Sequence, residues 1–545
     1  MSPLVRPIVE TNGELPLVDP EELVLRDGEV GPIARAEQTD TDIDREAWYL
    51  RAILTANVYE VAIESPLERA PRLSDRIGAQ IYLKREDMQP VFSFKLRGAF
   101  NRMKQLTPQE LARGVITASA GNHAQGVALS GQKLGCKAII AMPVTTPAIK
   151  VEAVRRLGGT VELVGENFDA TSAYAKKRAK DEGLAYIPPF DDPHVIAGQG
   201  TVGVELLRQL PSTEIVFVPI GGGGLAAGIA AYIKAIRPEV KVIGVEPAGA
   251  NAMMLSLARG SLVKLSKVDG FADGVAVREP GRHCFAICQA MIDGVITVKT
   301  DQIAAAIKDV FGDTRSILEP AGAVAVAGAK AYCTANKVTG NVVAITSGAN
   351  MNFDRLRVIS EIADQGGKEE ATLVTIIPEK NGAFKKFVET VGDKSISEFK
   401  YRIQDANARV LYSIVVSNQS EVEETIRRMK AQGFETVDLS NDATTQFHLR
   451  HMTGGRGKVD NEVLYKVEIP ERAGALGNFL DFISPKWSIT MTHYRSDGGR
   501  VGQVLFGVQV PENEREDFEK CLDNCQYSYD CLSDNVAFRT LFGNH

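Results

Sequence analysis

No stretch of this 545-residue chain is apolar for the roughly 18 residues that a helix needs to cross a bilayer. We therefore expect no membrane-spanning segment. The chain also lacks a basic excess: its net charge is −7 at pH 7, which argues against a nucleic-acid partner, because binding phosphates requires a basic face. Its seven cysteines are an odd number without the spacing of a disulfide framework, which indicates a reducing, intracellular setting.

The cysteines give little support to a metal site. Cys521, Cys525 and Cys531 lie close together in the sequence, but they form no Cys-x-x-Cys pair and adjoin no histidine, as zinc ligands would. Cys284 and Cys288 have the spacing of one helix face, where small buried thiols are common. We therefore predict no metal.

Residues 1–45 lack the arginine and serine content of a transit peptide. They are acidic, contain scattered proline and glycine, and show weak periodicity. We predict that 1–45 form a flexible acidic extension. The absence of targeting signals indicates the cytoplasm, and the plastid stroma is the alternative if a leader has been removed.

The most informative residue is Lys95, which stands between Phe94 and Leu96 where a strand-like segment gives way to a helix. A lysine in apolar surroundings has a lowered pKa, because desolvation penalises its ammonium form, and its free amine can then attack a carbonyl. The alternative is a structural lysine whose stem covers apolar surface while its ammonium group reaches water. The neighbours of Lys95 do not decide between these interpretations.

Three further segments favour a ligand site. Ser119-Ala120-Gly121-Asn122-His123 follows a strand-like run and combines small residues with an amide that donates and accepts hydrogen bonds. Gly221 to Gly224 follow the apolar strand 215–220, and a glycine-rich turn into a helix exposes N–H groups that suit a phosphate. Ser347 comes after the apolar run 342–345, at the carboxyl end of a strand, where open α/β sheets bind ligands.

The same glycines allow a different class of enzyme. A fingerprint of the form Gly-x-Gly-x-x-Ala begins at Gly222, and Glu246 ends the next strand, where a ribose-binding acid would stand. An NAD-dependent dehydrogenase is therefore the alternative. Four consecutive glycines are less typical of a dinucleotide-binding turn than of a phosphate-binding turn. A dehydrogenase would also leave Lys95, Asn122 and Ser347 without roles.

In their order and wording the four segments resemble the fold-type II pyridoxal-phosphate (PLP) enzymes, and among them the threonine dehydratases, or threonine deaminases. The resemblance runs from about Leu50 to Ile362 and continues in the C-terminal region. It implies an α/β fold in which a two-lobed catalytic domain with parallel sheets spans 46–365, with a smaller lobe at about 83–190. The implied cofactor is PLP, held between the lobes.

The resemblance also implies a role for each matching residue. Lys95 would hold PLP as a Schiff base and then remove the α-proton of the substrate. Phe94 would confine the cofactor ring, Asn122 would hydrogen-bond its phenolic oxygen, and Ser347 would face its nitrogen. The phosphate would be bound by Gly221, Gly222, Gly223, Gly224 and Leu225. The substrate carboxylate would be held by Ser93, Ser119, Ala120, Gly121, Asn122 and His123.

The implied reaction is the conversion of L-threonine to 2-oxobutanoate and ammonia, the first committed step of isoleucine biosynthesis. L-Serine would give pyruvate by the same route. A neutral serine beside the ring nitrogen moderates carbanion stabilisation, which suits a β-elimination. Serine racemase shares the scaffold and is a further alternative, but it lacks a C-terminal repeat.

This C-terminal repeat is visible in the sequence. A strand-like run ending at Pro378 leads through a glycine turn into a helix with Phe387, and about ninety residues later the same pattern follows Pro470, with Phe479 in its helix. Each unit is typical of a βαββαβ arrangement. We predict two α+β domains, at 371–455 and 462–545, which resemble the ACT-like (ferredoxin-like) regulatory modules of biosynthetic threonine dehydratases.

This second resemblance implies feedback inhibition by isoleucine, opposed by valine. The candidate effector residues are Arg450, Arg472, Gly474, Leu476, His493, Tyr494 and Arg495. Ala473 stands where such modules usually have proline, so the turn that it begins departs from the pattern. A pair of oligomerisation domains is the alternative interpretation, and the family is usually tetrameric, so we expect a homotetramer.

Overall fold

The computed structural model describes two compact units, one ending at Asn352 and one beginning at Phe353. The described residues are 15–35, 40–366, 370–378, 383–392, 394, 396–404, 407–416, 418–442, 444–445, 449, 461–470, 479, 483, 486–495, 501–525 and 527–542. None of the helices within these ranges combines the length and the apolar character that crossing a membrane requires.

The first unit is built of parallel sheets and helices that alternate along the chain. Its strands are β1 (Leu17–Val18), β2 (Leu67–Arg69), β3 (Gln80–Lys84), β4 (Val115–Ala118), β5 (Ala138–Met142), β6 (Thr160–Leu163), β7 (Ala185–Tyr186), β8 (Ile215–Pro219), β9 (Lys241–Pro247), β10 (Lys264–Leu265), β11 (Gly294–Val298) and β12 (Asn341–Ile345). Its helices are α1 (Asp40–Leu54), α2 (Pro71–Ile77), α3 (Lys95–Lys104), α4 (Pro108–Arg113), α5 (Asn122–Leu134), α6 (Ala148–Arg156), α7 (Phe168–Glu182), α8 (Pro193–Gln209), α9 (Gly224–Ile236), α10 (Ala252–Arg259), α11 (Arg282–Met291), α12 (Thr300–Thr314) and α13 (Pro320–Asn336).

The larger lobe contains a six-stranded sheet in the order β11-β9-β8-β12-β3-β2. All its pairs are parallel except β2 with β3. Strand β8 is buried along its whole length, as expected for a parallel strand that is covered on both faces. Because β8 and β12 are parallel neighbours, the glycine turn after β8 and the Ser347 loop after β12 leave the sheet at the same edge.

The smaller lobe contains a four-stranded parallel sheet in the order β6-β5-β4-β7. Helix α5 follows β4 and packs closely on α3: a Cβ at Gly126 would lie 3.1 Å from the backbone of Leu96. The predicted start of this lobe, near Leu83, differs from the structure, since Leu83 lies in β3 and pairs with β12 of the larger sheet. An apolar strand carries no sequence signal for the sheet that it will join.

Residues 15–35 lie against the larger lobe, whereas the sequence predicted a flexible extension. Strand β1 pairs in parallel with β10, and Val18 is buried. The Gly31 N–H donates to the carbonyl of Val295 at 2.7 Å, and the Arg35 guanidinium donates to the carbonyl of Ala290 at 2.7 Å. These contacts are mostly backbone hydrogen bonds, which leave no periodic pattern in the sequence.

The second unit has two antiparallel sheets. Its strands are β13 (Glu370–Pro378), β14 (Ile396–Gln404), β15 (Asn407–Val415), β16 (Glu435–Asp438), β17 (Glu462–Pro470), β18 (Ser488–Arg495), β19 (Val501–Gln509) and β20 (Ser528–Cys531). Its helices are α14 (Arg355–Gly366), α15 (Ala383–Val391), α16 (Gln419–Ala431), α17 (Arg515–Asn524) and α18 (Val536–Phe542). The sheet orders, β14-β15-β13-β16 and β18-β19-β17-β20, are equivalent, so the predicted repeat of two α+β domains is confirmed.

Each of these two sheets contributes apolar side chains to clusters on both of its faces. One face of each sheet packs in its own core, around Phe387 in the first repeat and Phe479 in the second. A third cluster combines side chains from both repeats: Val374, Leu411, Leu439, Leu449, Leu464, Leu505 and Ala537. The repeats therefore share a core and pack as one body.

Gly28→Ala tests whether the N-terminal segment is docked. Gly28 has φ +77°, and a Cβ there would lie 2.5 Å from the carbonyl oxygen of Ala331 in α13. Gly78 has φ +83° but open space around it, so Gly78→Ala measures only the cost of placing a side chain on left-handed backbone, about 1–2 kcal/mol. We expect Gly28→Ala to reduce the free energy of unfolding by at least about 1 kcal/mol more than Gly78→Ala does, because the N-terminal segment must move away from α13.

Urea unfolding of the full chain, followed by circular dichroism, measures both variants. An equal cost for Gly28→Ala and Gly78→Ala would show that residues 15–35 do not need their contact with α13.

Candidate active site

Lys95 begins helix α3 beside the loop that follows β12. The preceding residue, Phe94, donates its N–H to the carbonyl of Ser347 at 3.3 Å, and Ser93 forms an isolated β-bridge with Gly348. Ser93 is fully buried, and its hydroxyl accepts the Lys95 N–H at 3.3 Å. This backbone pairing places Lys95 next to the segment that contains Ser347, the serine predicted to face the cofactor ring.

The amine of Lys95 is shielded from solvent. Burial lowers its pKa to about 8, while Cys284 and Glu319 act in the opposite direction. Nζ donates to the carbonyl of Pro189 at 2.8 Å and lies 5.2 Å from the centre of the Phe94 ring. A substantial fraction of the amine is thus unprotonated slightly above neutral pH, which imine formation and proton abstraction both require.

The turn from β8 into α9 accepts glycine alone at two positions. A Cβ at Gly222 would lie 2.3 Å from the Phe190 ring, and Gly223, at φ +98°, would bring its Cβ to 2.8 Å from Cys284. No side chain caps the N-terminus of α9, where Gly223 is the N-cap residue. The N–H groups at this end of a 13-residue helix therefore form a cradle that fits a phosphate group.

The segment from Pro189 to Asp192, which crosses from the smaller lobe to the larger one, was not identified from the sequence. The Pro189 carbonyl accepts the hydrogen bond of Lys95, and the Phe190 ring covers Gly222. The Asp191 carboxylate accepts the first N–H groups of α11 at 2.9–3.3 Å, and Asp192 caps α8. The available signal was the Asp-Pro pair at the start of α8, which is typical of an N-cap followed by proline.

Both polar atoms of the side-chain amide of Asn122, the first residue of α5, form hydrogen bonds. Its Nδ2 donates to Glu319 at 2.6 Å, and its Oδ1 accepts from Asn350 at 2.7 Å. Asn350 also donates to the carbonyl of Val91 at 2.7 Å. Neither Glu319 nor Asn350 was predicted as a site residue, because nothing in their local sequence shows which loop they will face.

The loop from Ser119 to Gly121 joins β4 to α5. The N–H of Ser119 donates to the carbonyl of Ala141, and the N–H of Gly121 donates to Oγ of Ser119. Ala120 is buried. The loop is therefore anchored at the carboxyl end of the smaller sheet, on the side where α5 begins with Asn122.

His123 is buried, so its ring supports the smaller lobe. Its Nε2 contacts the carbonyl of Ile187 at 3.0 Å, and its Nδ1 has no hydrogen-bond partner among the described residues. Burial and the nearby charge of Lys95 lower its pKa to about 3, so the ring is neutral at physiological pH. The predicted contact of His123 with a substrate is available to its backbone N–H rather than to its ring.

Ser347 lies at the carboxyl end of β12 and is buried. Its hydroxyl donates to the carbonyl of Ala321, in the first turn of α13, at 3.3 Å. The lysine, the amide, the glycine turn and this hydroxyl thus belong to one continuous set of contacts. Of the effector candidates, Arg450, Arg472, Gly474 and Leu476 lie outside the described residues, and His493, Tyr494 and Arg495 lie on β18 of the second unit.

Four buried charged side chains fix the helix that carries Lys95. Arg97 contacts Glu86 at 2.8 Å and Glu205 at 2.6 Å, and Lys84 contacts Glu205 at 2.6 Å. All four are inaccessible to solvent. Burial by itself would raise the pKa of Glu205, but Arg97 and Lys84 outweigh it and lower that pKa.

Glu246 does not occupy the position that the dinucleotide alternative requires. Its carboxylate is fully buried and accepts the N–H groups of Met253 and Met254, at 3.0 and 2.8 Å, at the start of α10. Burial raises its pKa to about 8. A carboxyl group used to cap a helix inside the core cannot bind a ribose hydroxyl, so the structure argues against the NAD-dependent alternative.

Comparison with known proteins gives two family matches. The family model described as "Pyridoxal-phosphate dependent enzyme" matches residues 59–348, and that described as "C-terminal regulatory domain of Threonine dehydratase" matches 361–449 and 453–542. The first match covers the lysine, the amide, the glycine turn and the Ser347 hydroxyl. The second covers both repeats of the second unit.

Individual relatives agree with these matches. "Threonine dehydratase biosynthetic, chloroplastic" of Arabidopsis thaliana is 53% identical over 529 residues, which cover 96% of this chain and 89% of the relative. The biosynthetic L-threonine dehydratase of Burkholderia multivorans is 50% identical, over 90% of this chain and 98% of the relative. The solved structure of the processed form of threonine deaminase isoform 2 from Solanum lycopersicum is 55% identical with a TM-score of 0.63, and covers 66% of this chain and 99% of that one.

Arg97→Met tests the buried charge cluster. It leaves the Glu86 and Glu205 carboxylates without their shared partner, which we expect to reduce the free energy of unfolding by about 3–5 kcal/mol. The matched control is Arg208→Met, which removes an exposed pair with Glu64 and is expected to cost no more than about 1 kcal/mol. Urea unfolding measures both. Similar costs for the two variants would contradict the proposed importance of the cluster.

Proposed function

This chain belongs to the PLP-dependent threonine dehydratase family, and from that membership we propose how its own residues perform and regulate the reaction. It is a threonine ammonia-lyase that converts L-threonine to 2-oxobutanoate and ammonia, the committed step of isoleucine biosynthesis. The observation that supports our assignment of Lys95 is its desolvated amine, which donates to the Pro189 carbonyl beside the Phe190 ring that covers Gly222.

When bound, PLP supplies the electron sink that stabilises negative charge at the α-carbon of the substrate. We propose that the Lys95 amine anchors the cofactor and removes the α-proton, and its lowered pKa of about 8 supports this role. The Pro189 carbonyl, which accepts its hydrogen bond at 2.8 Å, restrains Nζ while the amine is free.

The other site residues hold the reactants in this proposal. Gly221 to Gly224, with Leu225, would direct N–H groups to the phosphate, and Asn122 would donate an N–H to the phenolic oxygen. Ser347 would face the ring nitrogen, and Phe94 would confine the ring. The substrate carboxylate takes its hydrogen bonds from N–H and hydroxyl groups of Ser93 and the loop from Ser119 to His123. The uncapped N–H groups at the start of α9 and the second Nδ2 hydrogen of Asn122 support the first two of these contacts.

The reaction balances without an external oxidant. The α-proton and the β-hydroxyl leave as water, and the released enamine tautomerises to an imine. Water then hydrolyses the imine to 2-oxobutanoate and ammonia. We propose L-serine as a second substrate, because its β-hydroxyl can leave in the same way. The racemase alternative loses its support, because the regulatory family model matches the second unit.

We propose that the second unit binds isoleucine as inhibitor and valine as opposing effector, in a homotetramer. The equivalent repeats and their shared core support a two-site regulatory body. A coupling of about 1–3 kcal/mol is sufficient to change substrate affinity roughly 5–150-fold. We also propose the plastid stroma, rather than the cytoplasm, as the compartment, and the chloroplastic name of the Arabidopsis relative supports this.

Lys95→Ala tests the catalytic assignment. We expect loss of turnover by at least about 10³-fold, since both the anchor of the cofactor and the base are removed. The absorbance of the purified protein with PLP, before and after L-threonine, and the 2-oxobutanoate formed are measured together. Lys104→Ala, on the exposed end of the same helix, is the control and should keep both the band and turnover. Retained turnover in Lys95→Ala would refute the assignment.

Arg495→Ala tests the effector assignment. We expect the isoleucine concentration for half-inhibition to rise at least about tenfold, because a cation on β18 that binds the effector carboxylate is removed. Turnover at saturating threonine should remain unchanged. Lys520→Ala, an exposed lysine on α17, is the control, and leucine is the control ligand. Unchanged inhibition by isoleucine would exclude Arg495 from the effector site.

A further inference from the structure

Glu319 is a buried carboxylate beside the candidate active site. It precedes α13 as the N-cap residue, yet its side chain makes no capping hydrogen bond to that helix. It is 4% exposed, and Oε1 accepts the Nδ2 hydrogen of Asn122 at 2.6 Å. The carboxylate is therefore directed away from its own helix and towards the amide that we assign to the cofactor ring.

This contact determines which way the Asn122 amide points. Its Oδ1 accepts from Asn350, whose other N–H is bonded to the carbonyl of Val91. A flipped Asn122 would place its oxygen against the carboxylate and its N–H group against the N–H group of Asn350. Two buried hydrogen bonds would be lost, at roughly 1–3 kcal/mol each. One Nδ2 hydrogen is thus assigned to Glu319, and the second is left to donate elsewhere.

The loop after β12 is shaped around the same carboxylate. A Cβ at Gly348 would lie 2.2 Å from Oε1 of Glu319 and 3.2 Å from Nδ2 of Asn122. Any side chain at this position would displace the pair. The glycine between Ser347 and Asn350 therefore makes room for the contact between Glu319 and Asn122.

Three titratable groups act on the amine of Lys95 from different elements: Cys284 on α11, Glu319 before α13, and His123 on α5. Burial raises the pKa of Cys284 well above its ordinary value, and burial lowers that of His123 to about 3. Both are therefore neutral near pH 7. The carboxylate of Glu319 remains as the group whose charge favours a protonated nitrogen at Lys95.

We propose that Glu319 is a positioning residue: it orients Asn122 so that its second Nδ2 hydrogen faces the ring oxygen of PLP, and it holds a buried carboxylate beside that group. The inference rests on the proposed roles of Lys95 and Asn122. The two effects are separable, since a glutamine keeps an oxygen for Asn122 to donate to but carries no charge.

Three variants of the PLP-loaded full chain test this. Glu319→Gln removes the charge and keeps an acceptor, and Glu319→Ala removes both. Glu246→Gln is the matched control, because it replaces a second buried glutamate of the same unit, one whose carboxyl group caps α10. The first readout is the cofactor absorbance titrated over a range of pH, and the second is the dissociation constant of PLP.

We expect the pH midpoint of the absorbance to fall by about 1 unit in Glu319→Gln and in Glu319→Ala, because loss of a negative charge disfavours the protonated nitrogen. PLP affinity should stay within about threefold in Glu319→Gln and weaken about tenfold in Glu319→Ala, where Asn122 loses its fixed orientation. Glu246→Gln should match the parent in both measurements.

The proposal would be overturned if the pH midpoint of the absorbance in Glu319→Gln equalled that of the parent. It would also be overturned if Glu246→Gln shifted the midpoint as much as Glu319→Gln does. If Glu319→Ala fails to fold, the Glu319→Gln midpoint still decides the charge effect. A parent protein without a cofactor band would refute the proposed function itself, whereas a normal parent band with an unshifted Glu319→Gln refutes this inference alone.

Discussion

Arg97 lies without solvent contact between Glu86 and Glu205, and Lys84 shares the second carboxylate. A buried ion pair contributes little net stability compared with well-packed apolar residues, but the loss of one partner is costly. The cluster therefore fixes geometry more than it stabilises the fold. Because Arg97 is two residues after Lys95 on α3, this rigid attachment sets the position of the reactive amine relative to the larger sheet.

The second attachment is the crossover from Pro189 to Asp192. In four residues it contacts Lys95, covers the glycine turn and caps α11 and α8. A displacement of one lobe would therefore disturb the amine, the phosphate cradle and two helix ends together. Catalytic groups from both lobes are thus held in a common geometry by one short stretch of backbone.

The second unit follows a different principle, since its two repeats are joined by apolar packing. Each sheet has its own core on one face, and the opposite faces meet in a shared cluster around Val374 and Leu464. A ligand that shifts a strand in one repeat must therefore repack side chains of the other. This arrangement suits a body that responds as a whole.

The sequence predicted the elements that depend on local patterns. The repeated strand–turn–helix pattern predicted two α+β domains, the glycines after β8 predicted the cradle, and the family resemblance implied the parallel sheets. Lys95 was found because its neighbours are apolar. These features follow from propensity, periodicity and the small size of glycine, all of which can be read within a short window of the chain.

The tertiary structure alone decided which distant groups meet. Glu319 contacts Asn122, which is 197 positions earlier in the chain, and Arg97 contacts Glu205, which is 108 positions later. Residues 15–35 dock through backbone hydrogen bonds that have no periodicity, and β3 joins the larger sheet although its sequence would suit either. Such pairings depend on chain topology and the exclusion of water, so buried charges and backbone groups are satisfied only when the whole fold brings their partners together.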